Sequence, residues 1–468
     1  MSFRKMKRYD SYKDSRIEWI GEIPNHWEVK KFNYLFAFSR GLPITKQDLK
    51  DEGIPCVSYG EIHSKYGFKV NPEKHLLKNV DINYLRSSGK SLLNKGDFIF
   101  ADTSEDIEGS GNFTCLDSDT LTFAGYHTII AIQRGKNNYT YLAYFFDSLE
   151  FRNQIRSEVS GIKVFSITNS ILKNSYVLLP PQSEQTAIAN FLDRQTTEID
   201  RLIADKKRLI ELYEEEKTAI INQAVTKGIN PDVKMKDSGI EWLREIPEHW
   251  EVKRFGFLFS FSRGLPITKE NLKKEGTPCI SYGEIHSKCG FEVNPDKDVL
   301  LCVNEEYLTS SKKSLLKRGD FVFSDTSEDI KGSGNFIYLN SDKPTFAGYH
   351  TIIAIPKEFI SHRFVAYFFE SLPFRNQIRC KVTGIKVYSI TQTILKSTFV
   401  LLPPPPEQLL IANHLESECT RINAKVEKTK KLIALLTEYR TTLISEVVTG
   451  KIKVFCVEKV MNSQGNGA

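Results

Sequence analysis

The chain has 468 residues, 40% of them hydrophobic and 11% aromatic, which is enough for two domain cores and excludes a disordered protein. A formal net charge of +6 permits a nucleic-acid partner but does not establish one, because charge must cluster to act on a partner. There is no run of about 18 apolar residues and no apolar segment after the basic start, so we expect a soluble, cytoplasmic protein.

The sequence is an internal repeat. Residues 14 to about 230 align without a gap with residues 237 to about 453, at a constant offset of 223 positions. Residues 39–67 return as 262–290 with 23 of 29 identical, and residues 122–132 return unchanged as 345–355. Such a duplication predicts one task performed at two places about a pseudo-two-fold axis, and duplex DNA is the commonest two-fold target.

The first part of each repeat is predicted to be rich in strands. Short runs with β-branched and aromatic residues, such as 97–101 and 128–132, are separated by Gly and Asn. One helix is predicted within it at 140–157, with its copy at 363–380. The eight cysteines include no CxxC pair, and only Cys56 and Cys279 are equivalent, which indicates free thiols in a reducing compartment.

The second part of each repeat is predicted to be one long helix. Residues 184–226 and 407–449 contain no Pro or Gly, and 43 helical residues would extend about 64 Å. Apolar residues at 4-3 spacing predict a heptad seam that pairs with its copy in antiparallel orientation. The alternative is that each helix packs onto its own domain. The predicted seam consists of Ile188, Leu192, Ile199, Leu202, Leu209, Tyr213 and Ile220, with Ile411, Leu415, Ile422, Leu432, Leu436, Tyr439 and Leu443.

The predicted fold class is α+β: two similar strand-rich α/β recognition domains joined by two long helices that pair as an antiparallel coiled coil. We expect the first domain at 1–183, a central helix and linker at 184–231, the second domain at 232–406, a distal helix at 407–455 and a tail at 456–468.

Four segments in each repeat are candidates for binding. Around the Gly-Pro loop at 39–46 and near Gly161, basic and hydroxyl side chains suit a phosphate clamp. Residues 59–65 combine aromatic, acidic, imidazole, hydroxyl and ammonium groups, a mixture found in base-edge readers, although the histidine is alternatively a general base or a plain surface residue. The acidic stretch 102–106, with the turn 109–112, suits cytosine contacts or Mg²⁺, or is a solvated turn.

From these motifs we predict no catalytic residue and no metal ligand, and a DNA-binding set. Its members in the first repeat are Arg40, Thr45, Lys46, Tyr59, Glu61, His63, Ser64, Lys65, Ser104, Glu105, Ser110, Asn112 and Lys163. Those in the second are Arg263, Thr268, Lys269, Tyr282, Glu284, His286, Ser287, Lys288, Ser327, Glu328, Ser333, Asn335 and Lys386. Tyr126-His127 and Tyr349-His350 precede an apolar strand and are at least as well interpreted as packing residues.

Three further segments carry a family resemblance. Each repeat opens with IEW[IL]xEIPxHW (17–27 and 240–250), closes its domain with LLPPxxEQxxIAxxL (178–192 and 401–415), and ends its helix with AVTKG or VVTGK (224–228 and 447–451). This ordered set covers nearly the whole chain and resembles the specificity subunit of type I restriction-modification enzymes.

The resemblance implies that two target recognition domains each read half of a bipartite site in double-stranded DNA, with paired helical spacers that set the gap. It implies no cofactor on this chain. Two methylation subunits would use S-adenosylmethionine, and restriction-translocase subunits would use ATP and Mg²⁺. Because the two domains are nearly alike, we predict a gapped inverted repeat as the target. The rival functions are a metal-dependent nuclease acting alone, a scaffold without DNA affinity, and a specificity subunit of another restriction type.

Overall fold

The computed structural model describes residues 7–64, 67–161, 163–240, 243–287, 290–384 and 386–454. The chain divides into two compact units, Met1–Lys206 with Lys431–Ala468, and Lys207–Lys430. Within the described residues, no helix is long and apolar enough to cross a membrane. By the boundaries given above, each unit combines one strand-rich repeat with segments of both long helices.

The first repeat contains fifteen strands and seven α-helices among its described residues. Its strands are β1 (Tyr12–Asp14), β2 (Glu22–Pro24), β3 (Glu28–Lys31), β4 (Phe36–Arg40), β5 (Ile54–Val57), β6 (Lys69–Val70), β7 (Lys78–Val80), β8 (Leu92–Leu93), β9 (Phe98–Ala101), β10 (Thr103–Ser104), β11 (Phe113–Leu116), β12 (Thr122–Ala124), β13 (Thr128–Gln133), β14 (Phe165–Ser166) and β15 (Tyr176–Leu179). Its helices are α1 (Phe32–Leu35), α2 (Tyr59–Ser64), α3 (Tyr84–Ser87), α4 (Tyr139–Asp147), α5 (Leu149–Arg156), α6 (Asn169–Asn174) and α7 (Gln182–Lys227), with 3-10 turns at Lys46–Asp48 and Gly89–Ser91.

The second repeat follows the same order. Its strands are β16 (Met235–Asp237), β17 (Glu245–Pro247), β18 (Glu251–Arg254), β19 (Phe259–Arg263), β20 (Thr277–Ile280), β21 (Glu292–Val293), β22 (Cys302–Val303), β23 (Leu315–Leu316), β24 (Phe321–Ser324), β25 (Thr326–Ser327), β26 (Phe336–Leu339), β27 (Thr345–Ala347), β28 (Thr351–Pro356), β29 (Tyr388–Ser389) and β30 (Phe399–Leu402). Its helices are α8 (Phe255–Leu258), α9 (Tyr282–Ser287), α10 (Tyr307–Ser310), α11 (His362–Glu370), α12 (Leu372–Arg379), α13 (Gln392–Lys396) and α14 (Pro405–Val448), with 3-10 turns at Lys269–Asn271 and Lys312–Ser314.

Two mixed sheets form the frame of each unit. In the first unit a five-stranded sheet has the order β4-β13-β9-β11-β6 and a four-stranded sheet the order β7-β5-β12-β8. The second unit repeats both orders, as β19-β28-β24-β26-β21 and β22-β20-β27-β23. The register also repeats, because Ile129 pairs with Arg40 and Ile352 pairs with Arg263. The predicted α/β character of both recognition domains is confirmed.

Packed aromatic rings form the core of each unit. In the first, the Phe146 ring on α4 lies 4.6 Å from Phe151 and 4.9 Å from Phe98 between ring centroids. In the second, Phe369 is 4.4 Å from the ring of Phe374. The six described cysteines are free, as predicted, and burial raises the pKa of the equivalent thiols Cys56 and Cys279 to about 12. These thiols are packing groups rather than nucleophiles.

The helix predicted at 140–157 is two helices, α4 and α5. Ser148 has an extended backbone (ψ 153°), its hydroxyl donates to the Phe145 carbonyl, and the same oxygen accepts from the Phe151 N–H. A hydroxyl at this position ends one helix and caps the next. The copy is also interrupted, at Ser371, whose hydroxyl donates to the Phe368 carbonyl without capping the next helix, and Pro373 lies in the first turn of α12. The single-helix prediction was wrong in both repeats.

The two long helices are confirmed, since α7 has 46 residues and α14 has 44. In the second unit they run antiparallel, because Lys425 lies over the Tyr213 ring while Arg421 pairs with Glu216 at 2.9 Å. Arg440 pairs with Asp200 at 3.0 Å in the first unit. Shifted by 223 positions, that last pair becomes Lys217 and Asn423, which are hydrogen-bonded at 3.1 Å in the second unit.

The helix seam differs from the predicted one at its middle. Ile188, Leu192 and Leu443 are buried in the core of the first unit, and Ile411 and Leu415 in that of the second. At its start each long helix therefore completes the core of its own domain, as the alternative interpretation proposed. Leu443, near the end of α14, instead completes the core of the first unit. Leu432 was assigned to the seam wrongly, because it is 40% exposed while Val426 and Thr429 are buried.

Candidate nucleic-acid interface

Backbone hydrogen bonds bring the predicted binding motifs of the first repeat together. Residues 124–128 are central, because the Ala124 carbonyl accepts from Leu42 and the Gly125 N–H donates to Val57. The His127 carbonyl accepts from the Asp102 N–H at 3.1 Å, and the Asp102 carbonyl accepts from Ile167 at 2.8 Å. Loops distant in sequence, around residues 40, 58, 102, 126 and 165, thus form one surface, here called the loop face. The second unit has the equivalent bonds at Leu265, Gly348, Asp325 and Ile390.

Two glycines allow these loops to approach so closely. A Cβ atom on Gly41 would lie 1.9 Å from the Gly125 carbonyl oxygen, and one on Gly125 would lie 2.1 Å from Ser58 Oγ. Only glycine fits where two backbones touch in this way. Gly264 and Gly348 have the same environment in the second unit. The loop face therefore has a rigid backbone base.

His127 and His350 project from the loop face, although the sequence pattern indicated packing roles for them with at least equal weight. Each is 60% exposed, with Nδ1 at 3.2 Å and 3.1 Å from the carboxylates of Asp102 and Asp325. Their backbones are left-handed, with φ of 53° and 55°. Residues other than glycine rarely adopt this conformation, and such strain concentrates at functional sites. The packing interpretation of these histidines was wrong.

Tyr59 and Tyr126 flank His127, with ring centroids 6.4 Å and 5.9 Å from the imidazole. Burial raises the pKa of both phenols, that of Tyr59 with help from the nearby carboxylate of Glu105, and the same holds for Tyr282 and Tyr349 in the copy. The four phenols remain neutral and can each donate and accept a hydrogen bond.

The glutamates and threonines of the predicted DNA-binding set form hydrogen bonds within their own turns. One carboxylate oxygen of Glu61 accepts from the Ser58 N–H at 3.1 Å, and Glu284 does the same for Ser281 at 2.9 Å. Thr45 and Thr268 form capping boxes with Asp48 and Asn271. These side chains hold the turns of the loop face in shape.

The predictions for four of the six serines are wrong. Ser104, Ser110, Ser327 and Ser333 are at most 2% exposed, so their hydroxyls cannot reach DNA in this structure. They are buried because residues 102–112 fold back onto α5: a Cβ atom on Gly111 would lie 3.1 Å from Ile155.

The amides of Asn112 and Asn335 are part of the same support. Each carbonyl oxygen accepts from an arginine of the second short helix, Arg152 at 2.6 Å and Arg375 at 2.7 Å. These two arginines also pair with Asp147 and Glu370. Through these bonds, Arg152 and Arg375 connect each loop face to the core of its unit.

His286 also serves the framework. Its Nε2 atom lies 3.1 Å from Ser324 Oγ, and its Nδ1 atom lies 3.1 Å from the Asn335 amide nitrogen. Both ring nitrogens are thus occupied, which leaves no atom for a base or for general-base catalysis. Ser287 is exposed. Lys65 and Lys288 lie outside the described residues, as do the side chains of His63 and Ser64.

Exposed cations border the loop face. Their side chains form no ion pair with any described residue, and they comprise Arg40, Lys46 and Lys163 with Arg263, Lys269 and Lys386. Glu105 and Glu328 are also exposed. One position reverses charge between the repeats, because exposed Glu108 corresponds to exposed Lys331.

The acidic stretch does not assemble a metal site. Asp102 bonds to His127, and Asp106 Oδ1 accepts from the Gly109 N–H, three residues on, at 2.6 Å. Over the described ranges, no three His, Cys, Asp or Glu side chains are grouped to hold a metal ion. The chemistry of the loop face is hydrogen bonding beside positive charge, which suits the edges and phosphates of a nucleic acid.

This arrangement defines a class of protein: a duplicated α/β binding protein with one loop face per unit. The chain belongs to the family described as "Type I restriction modification DNA specificity domain", which it matches twice, at residues 24–212 and 247–434. The predicted family is therefore confirmed, and the chain is a DNA-specificity protein.

Individual relatives agree over nearly the full length. The chain is 24% identical to the type I restriction enzyme MjaVIII specificity subunit of Methanocaldococcus jannaschii, covering 92% of this chain and 94% of that relative. It is 22% identical to the EcoKI specificity subunit of Escherichia coli, covering 92% and 90%.

Solved structures support the fold. One, from work on complex assembly and conformational transition of the type I R-M system, matches with a TM-score of 0.67 at 14% identity, covering 91% of this chain and 98% of that chain. The HsdS subunit from Thermoanaerobacter tengcongensis matches with a TM-score of 0.52 at 14% identity, covering 92% and 98%.

Proposed function

We propose that the chain reads a bipartite DNA site whose halves form a gapped inverted repeat. The observation that carries this proposal is the sameness of the two loop faces. Residues 124–128 and 347–351 are identical in sequence and are held by equivalent backbone bonds. The same hydrogen-bonding groups on the same frame select the same bases.

The proposed partners are those of a type I system: two methylation subunits that use S-adenosylmethionine, and restriction-translocase subunits that use ATP and Mg²⁺. The chain itself recognises DNA and carries out no chemistry. Support comes from relatives that are named as specificity subunits of type I restriction enzymes and that match over more than nine-tenths of this chain. The complex would act on chromosomal DNA in the cytoplasm.

Methylation mapping tests this function. The chain is co-expressed with the proposed methylation subunit in a host without adenine methylation, and modified bases are located by single-molecule sequencing. We expect methylated adenines in two half-sites that are reverse complements across a constant gap. Two unrelated half-sites would contradict the inverted repeat while leaving the recognition role intact.

The rival function is a nuclease centred on Asp102 and Glu61. The structure does not favour it, because Asp102 is bonded to His127 and Glu61 caps its own helix. Incubating the purified chain alone with supercoiled plasmid and Mg²⁺ distinguishes the two functions. We expect no cleavage, and Mg²⁺-dependent nicking that Asp102→Ala abolishes would support the nuclease.

A further inference from the structure

The histidine at the tip of each loop face is held in a strained conformation by its surroundings. His127 has φ of 53°, and the neighbouring bonds from Asp102 N–H to its carbonyl and from Thr128 Oγ to the Gly125 carbonyl fix the chain on either side. His350 has the same geometry, with φ of 55°. A framework that enforces an unfavourable backbone around an exposed side chain indicates a functional position.

The aspartate partner determines what the imidazole offers to a ligand. Asp102 is 36% exposed on its side chain, and an ionised carboxylate can only accept hydrogen bonds. The Nδ1 atom of His127, 3.2 Å away, therefore carries the ring proton and donates a hydrogen bond to the carboxylate. In the neutral ring, Nε2 is then left with a lone pair, so its outward atom is a hydrogen-bond acceptor.

We infer that His127 and His350 each read one base of a half-site, by accepting a hydrogen bond from an exocyclic amino group. In the major groove that group is N6 of adenine or N4 of cytosine, whereas guanine and thymine present acceptors there. The inference rests on the proposed DNA-reading function and adds the residue and the class of base. Asp102 and Asp325 are positioning residues, because they fix the ring nitrogen that faces the base.

Several neighbouring side chains are already bonded within the protein or buried. Glu61 caps a backbone N–H, the Asn112 carbonyl oxygen is taken by Arg152, and the hydroxyls of Ser104 and Ser110 are buried. The exposed cations at the border suit phosphates, which carry no sequence information.

The first test replaces His127 by Asn or by Gly. Both residues tolerate a left-handed backbone, so the loop keeps its shape while the imidazole is lost. Each variant is co-expressed with the methylation subunit, and methylation is sequenced on a plasmid library that carries every base at each position of both half-sites. We expect discrimination at one position of one half-site to fall by about tenfold or more, while the other half-site is unchanged.

Matched variants in the same chain are the controls. His350→Asn should move the loss to the other half-site. His26→Asn removes another exposed histidine bonded to a carboxylate, Glu184, at 2.9 Å, and should leave both preferences unchanged. If His127→Asn and His127→Gly methylate the library with the wild-type base preference, the inference is overturned. Failure of the wild-type chain to direct methylation at all would instead overturn the proposed function.

Asp102→Asn tests the orientation of the ring. The amide nitrogen can donate to Nδ1, which transfers the ring proton to Nε2 and makes the outward atom a donor. We expect preference at that position to shift from an amino-bearing base towards guanine or thymine, with unchanged binding to the remaining positions. An unchanged preference for adenine or cytosine would overturn the assignment of Nε2 as the acceptor.

Discussion

Gly264→Ala is predicted to disrupt the loop face of the second unit. The added Cβ atom would lie 1.9 Å from the Gly348 carbonyl oxygen and 2.2 Å from Thr351 Oγ. An ordinary contact is about 3.4 Å or longer, so the two loops must separate by about 1.5 Å. The Gly348 carbonyl belongs to the hydrogen-bonded backbone of the loop face and the Thr351 hydroxyl donates to it, so neither group can move away alone.

The cost follows from the bonds that cross this contact. The Leu265 N–H donates to the Ala347 carbonyl at 2.8 Å, and Thr351 Oγ donates to the Gly348 carbonyl at 2.7 Å. Losing both, at about 1 kcal/mol each, with some overpacking strain, destabilises the second unit by roughly 2–4 kcal/mol. For a unit of about 220 residues this lowers the melting temperature by roughly 5–12 °C.

Scanning calorimetry of the full-length chain measures this effect, because one unit should melt earlier while the other keeps its transition. Gly283→Ala is the matched control: its Cβ atom would meet nothing within 4 Å, and it lies in helix α9 of the same unit. Alanine there should be neutral or slightly stabilising. The reasoning is refuted if Gly264→Ala and Gly283→Ala melt within about 1 °C of each other.

Three further predictions concern charge. Glu108→Lys should steepen the dependence of log affinity on log salt by about 0.9, and Lys331→Glu should flatten it by as much. The reason is that each substitution changes phosphate contact in one unit. Titrations of full-site duplex DNA at several salt concentrations measure both slopes. Arg40→Ala with Arg263→Ala should weaken binding to specific and random duplexes alike, and a loss confined to one sequence would contradict a phosphate role. Burial raises the pKa of Asp320 from 3.8 to about 6, so the folded state binds the proton more tightly. The second unit should therefore gain up to roughly 3 kcal/mol as pH falls through 6 towards 4, and denaturation midpoints of Asp320→Asn should lose this gain.

The long helices could be predicted from the sequence because their signal is local. No Pro or Gly interrupts them, and the observed ends lie within two residues of the predicted ones. The break at Ser148 was missed because a serine within an apolar run does not itself interrupt a helix. The second repeat indicates the break directly, because Pro373 lies two residues after Ser371 and proline is tolerated only in the first turn of a helix.

The loop face could be predicted only in part because its geometry depends on long-range contacts. Ser110 has the composition of an exposed turn, yet residues 102–112 are pressed onto α5, and no local pattern records that contact. His127 precedes an apolar strand, so a packing role was given at least equal weight. Its left-handed backbone arises from bonds to Asp102 and neighbouring loops, which only the folded chain brings together.

The sameness of the two repeats has different causes at different positions of the loop face. Gly125 and Thr128 are buried and would be retained for packing alone, so their identity in the copy says little about DNA. His127 is exposed and strained, and packing does not require it, yet His350 repeats it. Exposed positions of the two repeats can differ, as Glu108 and Lys331 show. Retention at the reading position together with charge reversal beside it leads us to expect two half-sites with the same bases, held with unequal affinity.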